Sequence, residues 1–103
     1  MELDLGENHK LRFVGWRPDR SVNPQFDGIP DVDKYGAIIE HRKPDGTRCA
    51  GMIVFDGDVS RRIEPDRERW TVESWDPLTI SPSVLCTDCG DHGFIREGKW
   101  VKA

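Results

Sequence analysis

Residues 35–55 read YGAIIEHRKPDGTRCAGMIVF. Two strand-like arms, YGAIIEHR and RCAGMIVF, flank KPDGT, and Asp45-Gly46 at its centre is a strong hairpin signal because a tight turn needs positive φ. Neither arm carries a 3.6-residue apolar stripe, so the stretch reads as a β-hairpin. The same extended pattern recurs outward from it. HKLRFVGW (9–16) places Leu11 and Phe13 on one face of a first strand, and RWTVESW sets Trp70 and Val72 against Thr71 and Glu73. PLTIS is a further extended piece, and HGFI and KWVKA flank REG as a closing hairpin. DVSRRIEPDRERW has room for one helical turn before Pro65 ends it. The expected fold is mainly β: a small single-domain antiparallel β-sheet or sandwich over residues 1–103.

One segment departs from this pattern. Residues 17–34 hold Pro18, Pro24 and Pro30 among many Asp and Asn residues. They read as a long loop, kept ordered by the apolar anchors Phe26, Ile29 and Val32. Trp70, Trp75 and Trp100 fall in strand-like segments and read as core or sheet-face residues.

Composition narrows the function classes. The 103 residues carry 19 acidic and 15 basic side chains, a net charge of −4, so the chain as a whole does not steer toward nucleic-acid phosphates. Arg61, Arg62, Arg67 and Arg69 form a local basic cluster, but Glu64, Asp66 and Glu68 are interleaved, which describes a salt-bridged surface. No apolar run approaches membrane-spanning length. The opening MELDLGENHKLRF lacks the basic and apolar regions of a signal peptide, so the expected compartment is intracellular and reducing. Three cysteines cannot pair completely within one chain, and in such a compartment closely spaced thiols read as metal ligands.

The spacing of two of them supports that. Residues 85–95, LCTDCGDHGFI, place Cys86, Cys89, Gly90 and His92 within seven positions. Cys-x-x-Cys-Gly is the shape of a zinc knuckle: two intervening residues let both thiolates reach one ion, and the glycine accepts the crowded backbone of the turn. His92 supplies a third ligand. Sulfur and imidazole donors favour Zn2+. A core cysteine beside an exposed thiol is the bland alternative. A thioredoxin-like pair is disfavoured because no βαβ pattern surrounds it.

The fourth ligand depends on the Asp45-Gly46 hairpin. A two-residue turn pairs Arg42 with Cys49 and turns His41 to the opposite face, whereas a three-residue loop puts His41 and Cys49 on the same face. Either could close a tetrahedron, and using both would mean losing a knuckle ligand. Cys49 is preferred, giving a Cys86, Cys89, His92 and Cys49 metal site over a knuckle at 86–93, with His41 or water as the alternatives. His9 reads as a surface histidine. With water in the fourth position, Asp88 or Asp91 could act as a base. No His-Glu-x-x-His or Cys-His-Asp pattern is present, so no catalytic residue is assigned.

The C-terminal third carries a further string: Trp70, Ile80-Ser81-Pro82-Ser83, Cys86, Cys89, His92-Gly93-Phe94-Ile95, Gly98 and Trp100-Val101. Over residues 70–101 it resembles a small uncharacterised family met in bacteriophages of actinobacteria and in some bacterial operons. The resemblance implies a bacteriophage accessory protein acting in the host cytoplasm, and implies no activity. Together these readings lead to the expectation of a non-enzymatic, zinc-stabilised protein-binding module acting on a host or phage protein. The alternatives are a metal-dependent hydrolase with an open zinc site and a weak nucleic-acid binder.

Overall fold

The Asp45-Gly46 turn closes as a three-residue loop. Lys43 N–H donates to Thr47 O at 2.8 Å, Gly46 N–H donates to Lys43 O at 2.9 Å, and Gly46 takes φ +87°. A type I turn followed by a left-handed residue is the common form of such a loop. It sets His41 directly opposite Cys49. These contacts come from a computed structural model that describes residues 2–103.

The hairpin joins β3 (Val32–Arg42) to β4 (Arg48–Val54), and with β1 (Glu2–Gly6) and β2 (His9–Trp16) it makes a four-stranded antiparallel sheet in the order β1-β2-β3-β4. A second antiparallel sheet, in sequential order, holds β5 (Thr71–Trp75), β6 (Leu78–Leu85), β7 (His92–Arg96) and β8 (Lys99–Lys102). The fold is therefore mainly β, as expected. Strand β1 lies ahead of the first strand read from the sequence. Its turn uses Glu7 and Asn8, at φ +52° and +63°, rather than an Asn-Gly or Asp-Gly pair. The link between the sheets contains α1 (Asp58–Ile63), which ends ahead of Pro65. Buried Ser60 on this helix donates to Phe55 O at 2.7 Å.

The core lies between the sheets. Leu11, Ile39 and Ile53 from the first meet Leu78, Ile80, Ile95 and Trp100 from the second. Alternation along β7 buries Gly93 and Ile95 and leaves His92 and Arg96 exposed. Gly93 is required there because a Cβ would fall 2.5 Å from the Trp100 ring. We expect Gly93→Ala to lower stability by about 1–3 kcal/mol through overpacking, read as a reduced urea midpoint with unchanged slope.

Residues 17–31 connect β2 to β3, and Val32 to Lys34 belong to β3 itself. A 3₁₀ turn at Pro24–Phe26 brings Phe26 edge-on to Trp16, with ring centroids 5.3 Å apart, while Ile29 is buried. The Arg20 guanidinium donates to Ile29 O at 2.6 Å and to Asp31 at 2.8 Å, tying the loop back on itself.

Three of the four clustered arginines, Arg61, Arg67 and Arg69, are engaged within the chain. Arg61 binds Asp56 through two hydrogen bonds, 2.9 and 2.8 Å, and Arg69 reaches the same carboxylate at 3.1 Å. Arg67 pairs with Glu64 at 3.3 Å. Hydrogen bonds from Arg61, outweighing burial, and then from Arg69 lower the Asp56 pKa to about 2. A carboxylate depressed on folding stabilises the protein above its unfolded pKa, and that contribution disappears as pH falls through the folded value. Asp56→Asn should therefore destabilise at neutral pH. The gap to wild type should close between pH 4 and pH 2 in a series of thermal melts.

Candidate functional site: a cysteine–histidine cluster and a serine–histidine pair

Both groups sit around the connection from β6 to β7. Its turn is closed by Cys86 N–H donating to Asp91 O at 2.7 Å and Gly90 N–H donating to Cys86 O at 2.8 Å, with Gly90 at φ +79°. This is the geometry expected of Cys-x-x-Cys-Gly. It presents Cys86 and Cys89 toward the β3–β4 hairpin of the other sheet.

There they meet both hairpin candidates. Cys49 Sγ lies 3.2 Å from Cys86 Sγ, and His41 Nε2 lies 3.1 Å from Cys89 Sγ. The donor atoms of His41, Cys49, Cys86 and Cys89 all lie within 4.8 Å of one another. A tetrahedral ion with bonds of ~2.3 Å to sulfur separates its donors by roughly 3.8 Å, so this cluster could hold one metal ion. All three cysteines are free thiols. The hydrogen bond to Cys86, and then burial, push the Cys49 thiol up to about 12. Burial acts upward on Cys86 too, but hydrogen bonds from Cys49, from Cys89 and from the turn backbone hold it below the ordinary thiol value. Lys43 Nζ, 2.6 Å from Asp88, lowers that carboxylate.

Two histidine assignments change. His9 is buried rather than on the surface. Its ring stacks on Trp100, with centroids 4.0 Å apart, and its Nε2 lies 2.5 Å from Asp91 Oδ2. The same carboxylate is 3.9 Å from His41 Nδ1, which places Asp91 and His9 directly behind the cluster. His92 lies outside the cluster, and strand parity is the reason. Gly93 must face inward beneath Trp100, so His92 faces outward. His41 takes the place that the sequence reading gave to His92.

On the outer face His92 has a different partner. Its Nε2 lies 2.7 Å from Ser83 Oγ. Ile80 pairs with Ile95 and Val84 with Gly93, so three residues, Ser81 to Ser83, bulge opposite Phe94 alone. Val84 beyond the bulge packs on the core, which turns Ser83 and Leu85 outward. Leu85 is directly opposite His92, and Ser83 is its diagonal neighbour, within side-chain reach. Trp70 Nε1–H donates to Ser83 O at 3.2 Å, holding the bulged backbone in place. Bulges of this kind re-aim side chains beside active sites. Among the described residues Ser83 is the serine hydrogen-bonded to a histidine. The sequence reading assigned it no role, although Pro82 inside a strand-like string marks a bulge.

A small two-sheet β protein with an outward serine–histidine pair and an inward Cys₃His cluster is the class that these contacts define. Residues 35–103, which include every member of both groups, match the family model described as BubE, bacterial ubiquitination-like system serine protease. The chain belongs to that family. No curated protein and no solved structure matches it. Family membership overturns the expectation of a non-enzymatic bacteriophage accessory protein, because the family is described by a bacterial pathway and by serine protease chemistry. The hydrolase alternative came nearer, but it placed the chemistry on a metal rather than on a serine. No helix among the described residues is long and apolar enough to cross a membrane.

Proposed function

We propose that this protein is a serine protease with Ser83 as nucleophile and His92 as general base, acting on a protein partner of a bacterial ubiquitination-like system. The observation that carries this is the 2.7 Å contact between Ser83 Oγ and His92 Nε2 in a chain of this family. A hydroxyl is a weak nucleophile until a neighbouring base takes its proton, and contact at this distance allows that transfer. Ser83 Oγ attacks the scissile carbonyl carbon while its proton passes to Nε2. The protonated imidazole then gives that proton to the leaving amine, and the acyl group remains on Ser83 as an ester. Water, deprotonated by the same nitrogen, releases the acid and restores the hydroxyl. Backbone around the scissile bond must be extended to reach such a site.

Zn2+ is the ion we assign to the Cys₃His cluster, because three thiolates and one imidazole are a common structural zinc set. Its role is structural, since Ser83 and His92 together account for the proton transfers. The test is a synthetic peptide mixture incubated with the protein and read by mass spectrometry. Cleavage by wild type and none by Ser83→Ala supports the reading. Equal cleavage by both overturns it.

A further inference from the structure

We infer that one zinc ion, held by His41 and Cys49 from the β3–β4 hairpin and by Cys86 and Cys89 from the β6–β7 turn, clamps the two sheets together and so holds Ser83 against His92. The positioning role rests on the serine protease reading above; the metal site does not.

Chain distances make the coupling direct. Cys86 follows Ser83 by three residues and Cys89 precedes His92 by three, so the metal turn is the whole connection between nucleophile and base. That turn is closed by few backbone hydrogen bonds, Cys86 N–H to Asp91 O and Gly90 N–H to Cys86 O. Cys89, Gly90 and His92 are exposed, so little packing restrains the turn. The hairpin side is rigid by comparison: His41 and Cys49 are a directly opposed pair, both buried, one pair from the turn end of a continuous ladder. Anchoring the exposed turn to this pair transfers the order of the first sheet to the second.

The ligand set also explains how His92 is free to act as a base. Cys86, Cys89 and His92 alone would form a three-ligand knuckle, with the imidazole nitrogen engaged by the ion. Two donors from the hairpin complete the tetrahedron without it. Behind the cluster, Asp91 reaches His9 at 2.5 Å and His41 at 3.9 Å. At 3.9 Å the contact with His41 is electrostatic rather than a hydrogen bond, and it places a carboxylate beside the imidazole.

The test compares wild type, His41→Ala and His92→Ala, each prepared reduced and with zinc, by metal content, competition against a chromophoric chelator and amide hydrogen exchange over residues 83–93. Wild type and His92→Ala should each carry about one zinc per chain, the number that one tetrahedral site accepts. His41→Ala should bind zinc at least ~100-fold more weakly, since even an outer partner of a ligand is worth 10–100-fold. Chelation should speed exchange of residues 83–93 in wild type and slow the reaction of Ser83 with a fluorophosphonate. Zinc loss by His92→Ala to the same degree as His41→Ala would overturn the ligand set. Exchange over 83–93 indifferent to zinc would overturn the clamp. Zinc-dependent protection with no Ser83 reaction in either state would uphold the clamp and reject the protease reading.

Discussion

His92→Ala is expected to slow the reaction of Ser83 with a fluorophosphonate by on the order of 10²–10⁴-fold, the range contributed by a positioned general base. The melting temperature should stay within about 4 °C of wild type. His92 is exposed, and exposed substitutions away from packing or caps shift stability by less than ~0.5 kcal/mol. The pairing of results matters because the two roles open to His92 make opposite forecasts. A histidine that ligates a structural ion takes stability with it when removed, whereas a general base takes reactivity and leaves the fold intact. Intact-mass time courses and thermal melts on one preparation supply both numbers. A variant that melts far below wild type would return His92 to the metal site.

The two roles were hard to separate in the sequence. Cys86, Cys89 and His92 share a knuckle spacing, and spacing alone does not say which face of a strand a residue takes. The deciding residue is Gly93, which must face inward because the Trp100 ring occupies the space of a Cβ. That contact spans two strands and is invisible until β7 and β8 are paired in register. The serine was hidden for a related reason. Ser83 reaches His92 only because Ser81 to Ser83 bulge opposite one residue of β7, and a regular ladder would have shifted the alignment. Pro82 between two serines was a legible sign of that irregularity, though not of its consequence.

Other features were legible because they are local. The Asp45-Gly46 turn, the Cys-x-x-Cys-Gly turn and the closing hairpin around Glu97-Gly98 each depend on a few adjacent residues whose backbone needs are specific. The sequence left two loop lengths open for the first of these. The three-residue form brings His41 and Cys49 together on one face. Strand β1 escaped notice because its turn residues, Glu7 and Asn8, lack the glycine at the positions where hairpins usually carry it.

Zinc removal is expected to lower the melting temperature by roughly 15–30 °C. A ligand present at ~1,000 times its dissociation constant stabilises the folded state by about 4 kcal/mol, and each kcal/mol moves the melt of a domain this size by roughly 4–8 °C. The four proposed ligands come from segments far apart in the chain, so they would form a site only in the folded protein, and binding energy would become folding energy. Cys49→Ser should reproduce most of the loss without chelator, as it removes a buried ligand at the sheet–sheet junction. Calorimetric scans with and without a strong chelator, under reducing conditions, measure this. Identical scans would remove the metal from the account of stability.

The proposed protease chemistry needs Ser83 to be a nucleophile activated by His92. Its most direct test is to treat reduced, zinc-loaded wild-type protein with a fluorophosphonate and map the adduct by peptide mass spectrometry. One phosphonyl group per chain, on Ser83, is the expected product. An unmodified Ser83 in folded protein, or an adduct borne by another residue, would contradict it.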